Sequence, residues 1–234
     1  MRDVPQGWRR YGYVALLQAT LLPLMLMAGC SSLLPAKAPA PSFYSLDSQR
    51  SPTAPPLQPN GGQSAATGGM AVGPTLVITP PHAAPGFDRP RIVYVRQPHK
   101  IEYFSENQWV ETPARMLAPM LVSALERSGG FRAVLQTPSV ATGEVRLDTE
   151  ILRLQQEFLA SPSQVRFTLR ARLVDDVTRK VIASSEFEGL VAAKSEDAYG
   201  GVLAANQAVA TVLDELAAFC VQNTRGLGAT AALK

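Results

Sequence analysis

Alternation between apolar and polar residues is the clearest pattern in the chain. Between residues 165 and 173 the odd positions carry Val, Phe, Leu, Ala and Leu, whereas the even positions carry Arg or Thr. Residues 145–154 and 180–191 follow a similar period of two. Since successive side chains of a strand point to opposite faces, these segments predict three consecutive strands with one buried face. In the first segment the apolar phase shifts after Ile151, which predicts a β-bulge.

Helical periodicity marks two other segments. Thr112 and Pro113 predict the N-cap and first position of one helix, which a Gly-Gly pair at 129–130 ends, although Pro119 conflicts with a regular helix. Ser195 is the expected N-cap of the second, with Glu196 and Asp197 in its first turn. The inward stripe of this second helix is Val202, Ala205, Val209, Val212, Leu216 and Phe219.

The remaining apolar runs are short and separated by turn residues. Shorter strands are expected at residues 43–46, 76–79, 92–97, 101–104 and 131–136. Strands with one apolar face need a cover, and the two helices supply it. The predicted fold is therefore an α+β two-layer sandwich, in which two helices cover one face of a mostly antiparallel sheet.

The N-terminus has the pattern of an export signal. Basic residues among the first ten precede an uncharged, mostly apolar run from Tyr11 to Ala28. The run ends in Leu-Met-Ala-Gly-Cys at 26–30, which resembles the lipobox of bacterial lipoproteins, so we expect lipidation of Cys30 and cleavage before it. A plain signal peptide or anchor helix with an incidental cysteine is the alternative. Ser31, rather than Asp, is associated in Gram-negative lipoproteins with sorting to the outer membrane.

Composition divides the chain into six parts. These are a signal peptide (1–29), a lipidated cysteine with a Ser-, Pro- and Ala-rich tether (30–41), a first strand of the body (42–47), a low-complexity loop (48–73), a folded domain (74–225) and a C-terminal tail (226–234). The loop is rich in Ser, Pro, Gly and Gln, so it buries too little apolar surface to offset the entropy of ordering.

Charge at first points to a polyanionic partner, because the chain carries a net charge of +3 and a pI near 9.0. Three arginines and one aspartate precede Cys30, so cleavage leaves nineteen basic and eighteen acidic residues, a net charge of +1. The basic character therefore belongs mostly to the signal peptide. This balance argues against nucleic acid as a partner.

Residues for catalysis or metal binding are scarce. The chain has 2 Cys and 2 His, and His82 and His99 both lie beside prolines without a neighbouring ligand at metal-binding spacing. Neither a phosphate-binding Gly-Lys-Ser/Thr loop nor a Gly-x-Ser-x-Gly elbow occurs. We expect Cys220 to be a buried free thiol. The sequence thus predicts a protein that is not an enzyme and holds no cofactor or metal.

Two groups of residues are candidates for binding. Arg166, Arg170 and Arg172, with Arg146 one strand away, form a basic row that either pairs with glutamates at 186 and 188 as a solvated face or contacts anionic lipid headgroups. The second group is aromatic: Tyr94, Tyr103, Phe104 and Trp109. These side chains either complete the core or form a recognition surface, and we take Tyr103, Phe104 and Trp109 as candidate partner-binding residues.

The combination of motifs resembles a known family. The lipobox is followed by Phe-Tyr-x-Leu at 43–46, Asp-Arg-Pro-Arg-Ile-Val at 88–93 and Trp-x-Glu-x-Pro-Ala-Arg-Met-Leu at 109–117. Together they resemble the ABC-type transport auxiliary lipoproteins, the PqiC-like components found with MCE (Mla-type) lipid transport systems.

This resemblance implies a non-catalytic periplasmic domain held at the outer membrane by acyl chains such as palmitate. It also implies docking onto a periplasmic MCE-domain protein of an ABC transporter that moves phospholipid, with ATP hydrolysed by a separate subunit. A homo-oligomer is compatible with the family. The alternative from another class is a periplasmic lipid-binding or chaperone-like module that itself holds an acyl chain between sheet and helices.

Overall fold

The fold is described for residues 40–47 and 73–227 of a computed structural model. The predictions for the signal peptide, for Cys30, and for most of the tether, the loop and the tail lie outside these residues. The strands are β1 Ser42–Tyr44, β2 Thr75–Ile78, β3 His82–Ala83, β4 Arg91–Gln97, β5 Lys100–Trp109, β6 Ala133–Gln136, β7 Val145–Glu157, β8 Gln164–Asp175 and β9 Val181–Ala192. The helices are α1 Pro113–Arg127 and α2 Ala198–Thr224.

Within the described residues, strand β7 is the centre of a nine-stranded sheet. Along one edge it pairs antiparallel with β8, which pairs antiparallel with β9. Along its other edge β2, β3 and β4 lie end to end, each parallel to β7. Strand β6 extends the sheet beyond β2, and β5 and then β1 extend it beyond β4. The long ladders are thus antiparallel, as predicted, whereas the short ladders formed by β2, β3 and β4 with β7 are parallel.

The predicted bulge in β7 is confirmed. The register between β7 and β8 shifts between Ile151 and Arg153, so the buried positions change from odd to even numbers. Before the bulge Leu147 and Ile151 face the core, and after it Leu154 and Gln156 are buried. The extra residue keeps β7 buried on the same face while β4 joins its far end.

Both helices cover one face of the sheet, which confirms the two-layer arrangement. Helix α2 packs on β7, β8 and β9, and α1 packs on β6 and β7. Five of the six predicted stripe positions of α2 are buried. The sixth, Phe219, is half-buried and meets the ring of Phe187 edge-on, with centroids 5.4 Å apart. At Gly189 of β9 a Cβ would lie 2.8 Å from the carbonyl oxygen of Ala208, so glycine lets α2 approach β9 closely.

The start of α2 corrects one prediction. Asp197, not Ser195, is the N-cap, and its carboxylate accepts a hydrogen bond from the Gly200 N–H at 2.7 Å. That bond lowers the pKa of Asp197, and the Ser195 hydroxyl donates to the same carboxylate at 2.8 Å. Glu196, expected in the first turn, instead accepts a bond from the Ser163 N–H just before β8.

Helix α1 begins as predicted, with Thr112 as N-cap and Pro113 at the first position, although the Thr112 side chain makes no capping bond. The helix continues through Pro119 to Arg127. Pro119 removes one main-chain donor from the second turn of the helix, and the element continues despite this loss.

Candidate functional site

The aromatic candidates lie on the hairpin formed by β4 and β5, and the strand alternation divides them between its two faces. Tyr103 is in register with Val93, and the guanidinium of Arg91 lies 5.2 Å from the centre of its ring. Phe104, the next residue, points to the opposite face, where its ring lies 4.6 Å from that of Tyr94. Both Tyr103 and Phe104 are half-buried. Each face of the hairpin therefore presents one partly accessible aromatic ring.

Trp109 lies in the core, with 3% of its surface exposed. The main-chain N–H of Trp109 donates to the Pro90 carbonyl at 2.9 Å, and Trp109 is in register with Tyr44 of β1. Its ring supports the hairpin from within and is not presented to a partner. The structure thus separates the three candidate residues into three places, and their role in partner binding stays a prediction.

The tip of the same hairpin is charged. Arg96 contacts the Glu102 carboxylate through two nitrogens, at 2.9 and 3.0 Å, and Lys100 lies 3.5 Å from it. The hydrogen bond from Arg96 lowers the pKa of Glu102. Arg96 also lies 5.1 Å from the ring centre of Tyr94. Cations therefore contact aromatic rings on both faces of the hairpin.

The basic row is paired with acids, as expected for a solvated face. Three of its arginines each contact two carboxylates. Arg166 contacts Glu157 and Glu188, Arg170 contacts Glu150 and Glu186, and Arg146 contacts Asp148 and Asp176. The fourth, Arg172, is exposed and has no ion-pair partner within residues 40–47 and 73–227. The predicted pairing with the glutamates of β9 is confirmed for Arg166 and Arg170.

The pairing also shifts the acid–base equilibria of this face. Hydrogen bonds from Arg166 to Glu157 and Glu188 raise the pKa of the guanidinium. Burial alone raises the pKa of Glu157, but hydrogen bonds from Arg166 and Gln155 outweigh it and lower the pKa overall. An anionic lipid headgroup would have to displace these carboxylates, so the row does not favour headgroup binding.

Within the described residues no group of three or more His, Cys, Asp or Glu side chains is arranged to hold a metal ion. His82 lies on the short strand β3, and His99 lies in the β4–β5 turn with a positive φ of 67°. Cys220 is fully buried, and burial raises the pKa of its thiol to about 12. That thiol stays protonated near neutral pH and is a poor nucleophile.

Helix α2 is long and apolar enough to cross a membrane by length and composition. Half of its most apolar window is buried within the fold, against the sheet. Its apolar character is explained by this packing, since the stripe residues cover β8 and β9.

Comparison with known families identifies the chain. The model of the ABC-type transport auxiliary lipoprotein component matches residues 56–217. The chain belongs to this family. The resemblance inferred from the motifs is thereby confirmed, and with it a role as an auxiliary, lipoprotein-type component of transport. No curated protein matches the chain.

Two solved structures with TM-scores above 0.5 are similar to this family member. Protein XCC0632 from Xanthomonas campestris is 23% identical, with a TM-score of 0.59, over 69% of this chain and 89% of that one. An uncharacterized protein is 11% identical, with a TM-score of 0.58, over 78% and 99% of the two chains. The PelC dodecamer from Paraburkholderia phytofirmans has a lower TM-score of 0.39, at 14% identity, over 63% of this chain and 88% of that one. The first two comparisons support only a shared α+β fold, not a shared function.

Proposed function

We propose that this protein is an outer-membrane lipoprotein whose periplasmic domain docks onto the MCE-domain protein of an ABC-type phospholipid transport system. Its family membership supports the transport role. The observation that carries the docking step is the β4–β5 hairpin, where Tyr103 and Phe104 are half-buried on opposite faces, so that part of each ring still faces solvent. Aromatic side chains in this state are typical anchors of protein interfaces.

The anchor is proposed to be a diacylglyceryl group on Cys30, followed by a tether up to residue 41 and the auxiliary domain at 74–225. Two or three acyl chains hold a protein durably on a bilayer, whereas one holds it weakly. Confinement near one membrane raises the effective concentration of the domain towards a partner that reaches across the periplasm. ATP hydrolysis then belongs to another subunit. A homo-oligomer stays a prediction.

The alternative function, an acyl chain held between sheet and helices, has less support. The cavity between the two layers, lined by Ile92, Trp109, Leu154 and Gly201 among others, has a volume of 10 Å³. A single water needs about 10–15 Å³ of such space, so this cavity has no room for an acyl chain. Large side chains such as Phe167 and Leu121 are fully buried in the core. The larger groove of about 830 Å³ is open to solvent, since Phe43 and Leu203 in its lining are exposed.

Affinity purification from detergent-solubilised membranes tests the docking proposal. The tagged full chain should recover an MCE-domain protein, and Tyr103→Ala and Phe104→Ala should each reduce recovery about tenfold, the loss expected of an interface anchor. Tyr199→Ala is the matched control, since Tyr199 is an exposed aromatic residue on α2, 55% accessible. Unchanged recovery with both hairpin variants, at unchanged melting temperature, would exclude this surface.

The anchor has its own test. Intact-mass measurement of the purified protein should show cleavage before Cys30 and the added mass of acyl chains. The Cys30→Ala variant should show neither. A wild-type chain of unmodified mass would contradict the lipoprotein proposal, whatever the outcome of the affinity purification.

A further inference from the structure

Strand β9 forms one edge of the sheet, since within the described residues it pairs with β8 alone. The Ala193 N–H donates to the Ser163 carbonyl at 2.8 Å, which fixes the alternation of hydrogen-bonded pairs along this ladder. From 184 to 192 the even-numbered residues therefore direct their N–H and C=O groups away from β8, and all of them are exposed. We call these residues the β9 edge: Ser184, Glu186, Glu188, Leu190 and Ala192. Such a row of main-chain donors and acceptors is a template for another strand.

On the face of the sheet that the helices leave open, charge alternates in sign from strand to strand. Acids on β9 contact arginines on β8, which contact acids on β7, in the two series Glu186–Arg170–Glu150 and Glu188–Arg166–Glu157. A basic strand next to β9 would continue this order. Glu186 bonds to Arg170 through Oε1 alone, and its Oε2 makes no hydrogen bond within the described residues. A cation on an added strand can therefore reach Glu186 without displacing Arg170.

The other face of β9 is apolar. Phe187 and Val191 are half-buried there and pack against the core, and the ring of Phe187 meets that of Phe219 on α2. An added strand would place every second side chain on this face, beside Phe187 and Val191. Apolar residues at those positions would cover the area that these two side chains still expose. The edge thus suits a strand that is basic on one face and apolar on the other.

A second copy of β9 does not have this pattern. Antiparallel self-pairing centred on Phe187 places Glu186 of one chain opposite Glu188 of the other, and pairing centred on either glutamate places it opposite its own copy. Like charges directly opposite each other destabilise a ladder. The two glutamates therefore disfavour pairing of the edge with itself, as charged residues on natural edge strands do.

We propose that the β9 edge binds, by strand addition, an extended segment of a partner protein in which Lys or Arg alternates with apolar residues. Main-chain hydrogen bonds supply the pairing, and the two faces of the added strand supply the specificity. Contact at this edge is separate from docking at the β4–β5 hairpin, because β8 and β4 pair with opposite edges of β7. The protein can therefore engage two segments at once.

Peptide binding to the purified full-length protein tests the proposal. The probe is a fluorescent peptide of about nine residues that alternates lysine and valine, which spans the β9 edge at roughly 3.4 Å per residue. We expect it to bind, and hydrogen exchange of the main-chain amides between 184 and 192 to slow as the added strand pairs with them. A peptide of the same length that alternates glutamate and valine is the control and should not bind.

The charge of the edge is tested by Glu186→Gln together with Glu188→Gln. This double variant should bind the lysine–valine peptide about fivefold more weakly, the loss expected for two cross-strand ion pairs. Glu106→Gln together with Glu126→Gln is the matched control, since it removes the same charge at exposed positions of β5 and α1. The control should keep the wild-type affinity. Equal weakening in both double variants, at unchanged melting temperature, would mean attraction to the whole protein and overturns the proposal.

N-methylation of the lysine–valine peptide separates strand addition from attraction between charges. The methylated peptide keeps its charge but loses its main-chain donors, so it should not bind. Retained binding of this peptide, or binding of the unmethylated one without slower exchange between 184 and 192, overturns strand addition. Failure of the unmethylated peptide to bind at millimolar concentration overturns it as well. Slower exchange at higher protein concentration, in the absence of peptide, would assign the edge to a second copy and contradict the proposed partner.

Discussion

The two main hairpins of the sheet differ in whether their side chains already have partners within the fold. On the β7–β8 hairpin three arginines each contact two carboxylates, and the ladder is regular apart from one bulge. The β4–β5 ladder has two register shifts. Its aromatic residues Tyr94, Tyr103 and Phe104 are only half-buried, and arginines lie beside the rings of Tyr94 and Tyr103. A partner on the charged hairpin must replace ion pairs that already exist, whereas a partner on the aromatic hairpin covers apolar area that still faces water. The irregular hairpin is therefore the surface that we propose for docking.

The substitution with the largest expected effect on stability is Trp109→Ala. Trp109 is buried under the aromatic hairpin, so its removal leaves a cavity and should lower the free energy of unfolding by about 3–5 kcal/mol. Denaturant unfolding measures this change. Val110→Ala, at the next position and 57% exposed, is the matched control and should change stability by less than about 0.5 kcal/mol. A small loss with Trp109→Ala would show that the hairpin does not depend on the core, and the distinction between its buried and exposed aromatics would fail.

The sequence predicted the regular hairpin better than the irregular one. Alternation at 165–173 and the phase shift after Ile151 predicted β8 and the bulge in β7, because a two-residue period reports directly which face is buried. The same period, applied to the strand predicted at 101–104, places Tyr103 and Phe104 on opposite faces. Grouping them as one patch overlooked that signal, whereas the burial of Trp109 depends on packing around β1 and α2.

Which strands pair across the sheet could not be predicted from the sequence. Nothing in the residues of β2, β3 and β4 specifies that they lie end to end along β7, since a period of two is the same for parallel and antiparallel neighbours. Strand β3, His82–Ala83, is too short to give a pattern at all. The N-cap of α2 was misplaced by two residues because Ser195 and Asp197 are both good caps, and the choice depends on how Glu196 reaches Ser163.

A second test acts on the charged hairpin. Arg166→Gln removes the ion-pair partner of Glu157 and Glu188. Glu157, with 13% of its side chain exposed, then keeps only the hydrogen bond from Gln155 and the charge of Arg153. The expected loss in the free energy of unfolding is about 1–2 kcal/mol, above the usual value for a surface pair because one carboxylate is nearly buried. Arg172→Gln is the control on the same strand and should have almost no effect. Equal effects of the two substitutions would mean that the paired arginines contribute no more than a solvated one.

The smallest expected effect is on the pH dependence of stability. Measuring it separates the contribution of the Arg166 charge from that of its packing. Because the pKa of Glu157 is lower in the folded chain than its ordinary value of 4.5, ionised Glu157 stabilises the fold above that value, and the stabilisation is lost as the pH falls below it. Wild-type stability should therefore fall more steeply than that of Arg166→Gln below about pH 4.5, with the difference between the two shrinking as Glu157 takes up a proton. Unfolding free energies between neutral pH and pH 3 measure both slopes. Parallel slopes would show that Arg166 acts through the packing of its stem rather than through its charge, and the charged hairpin would then resemble the aromatic one.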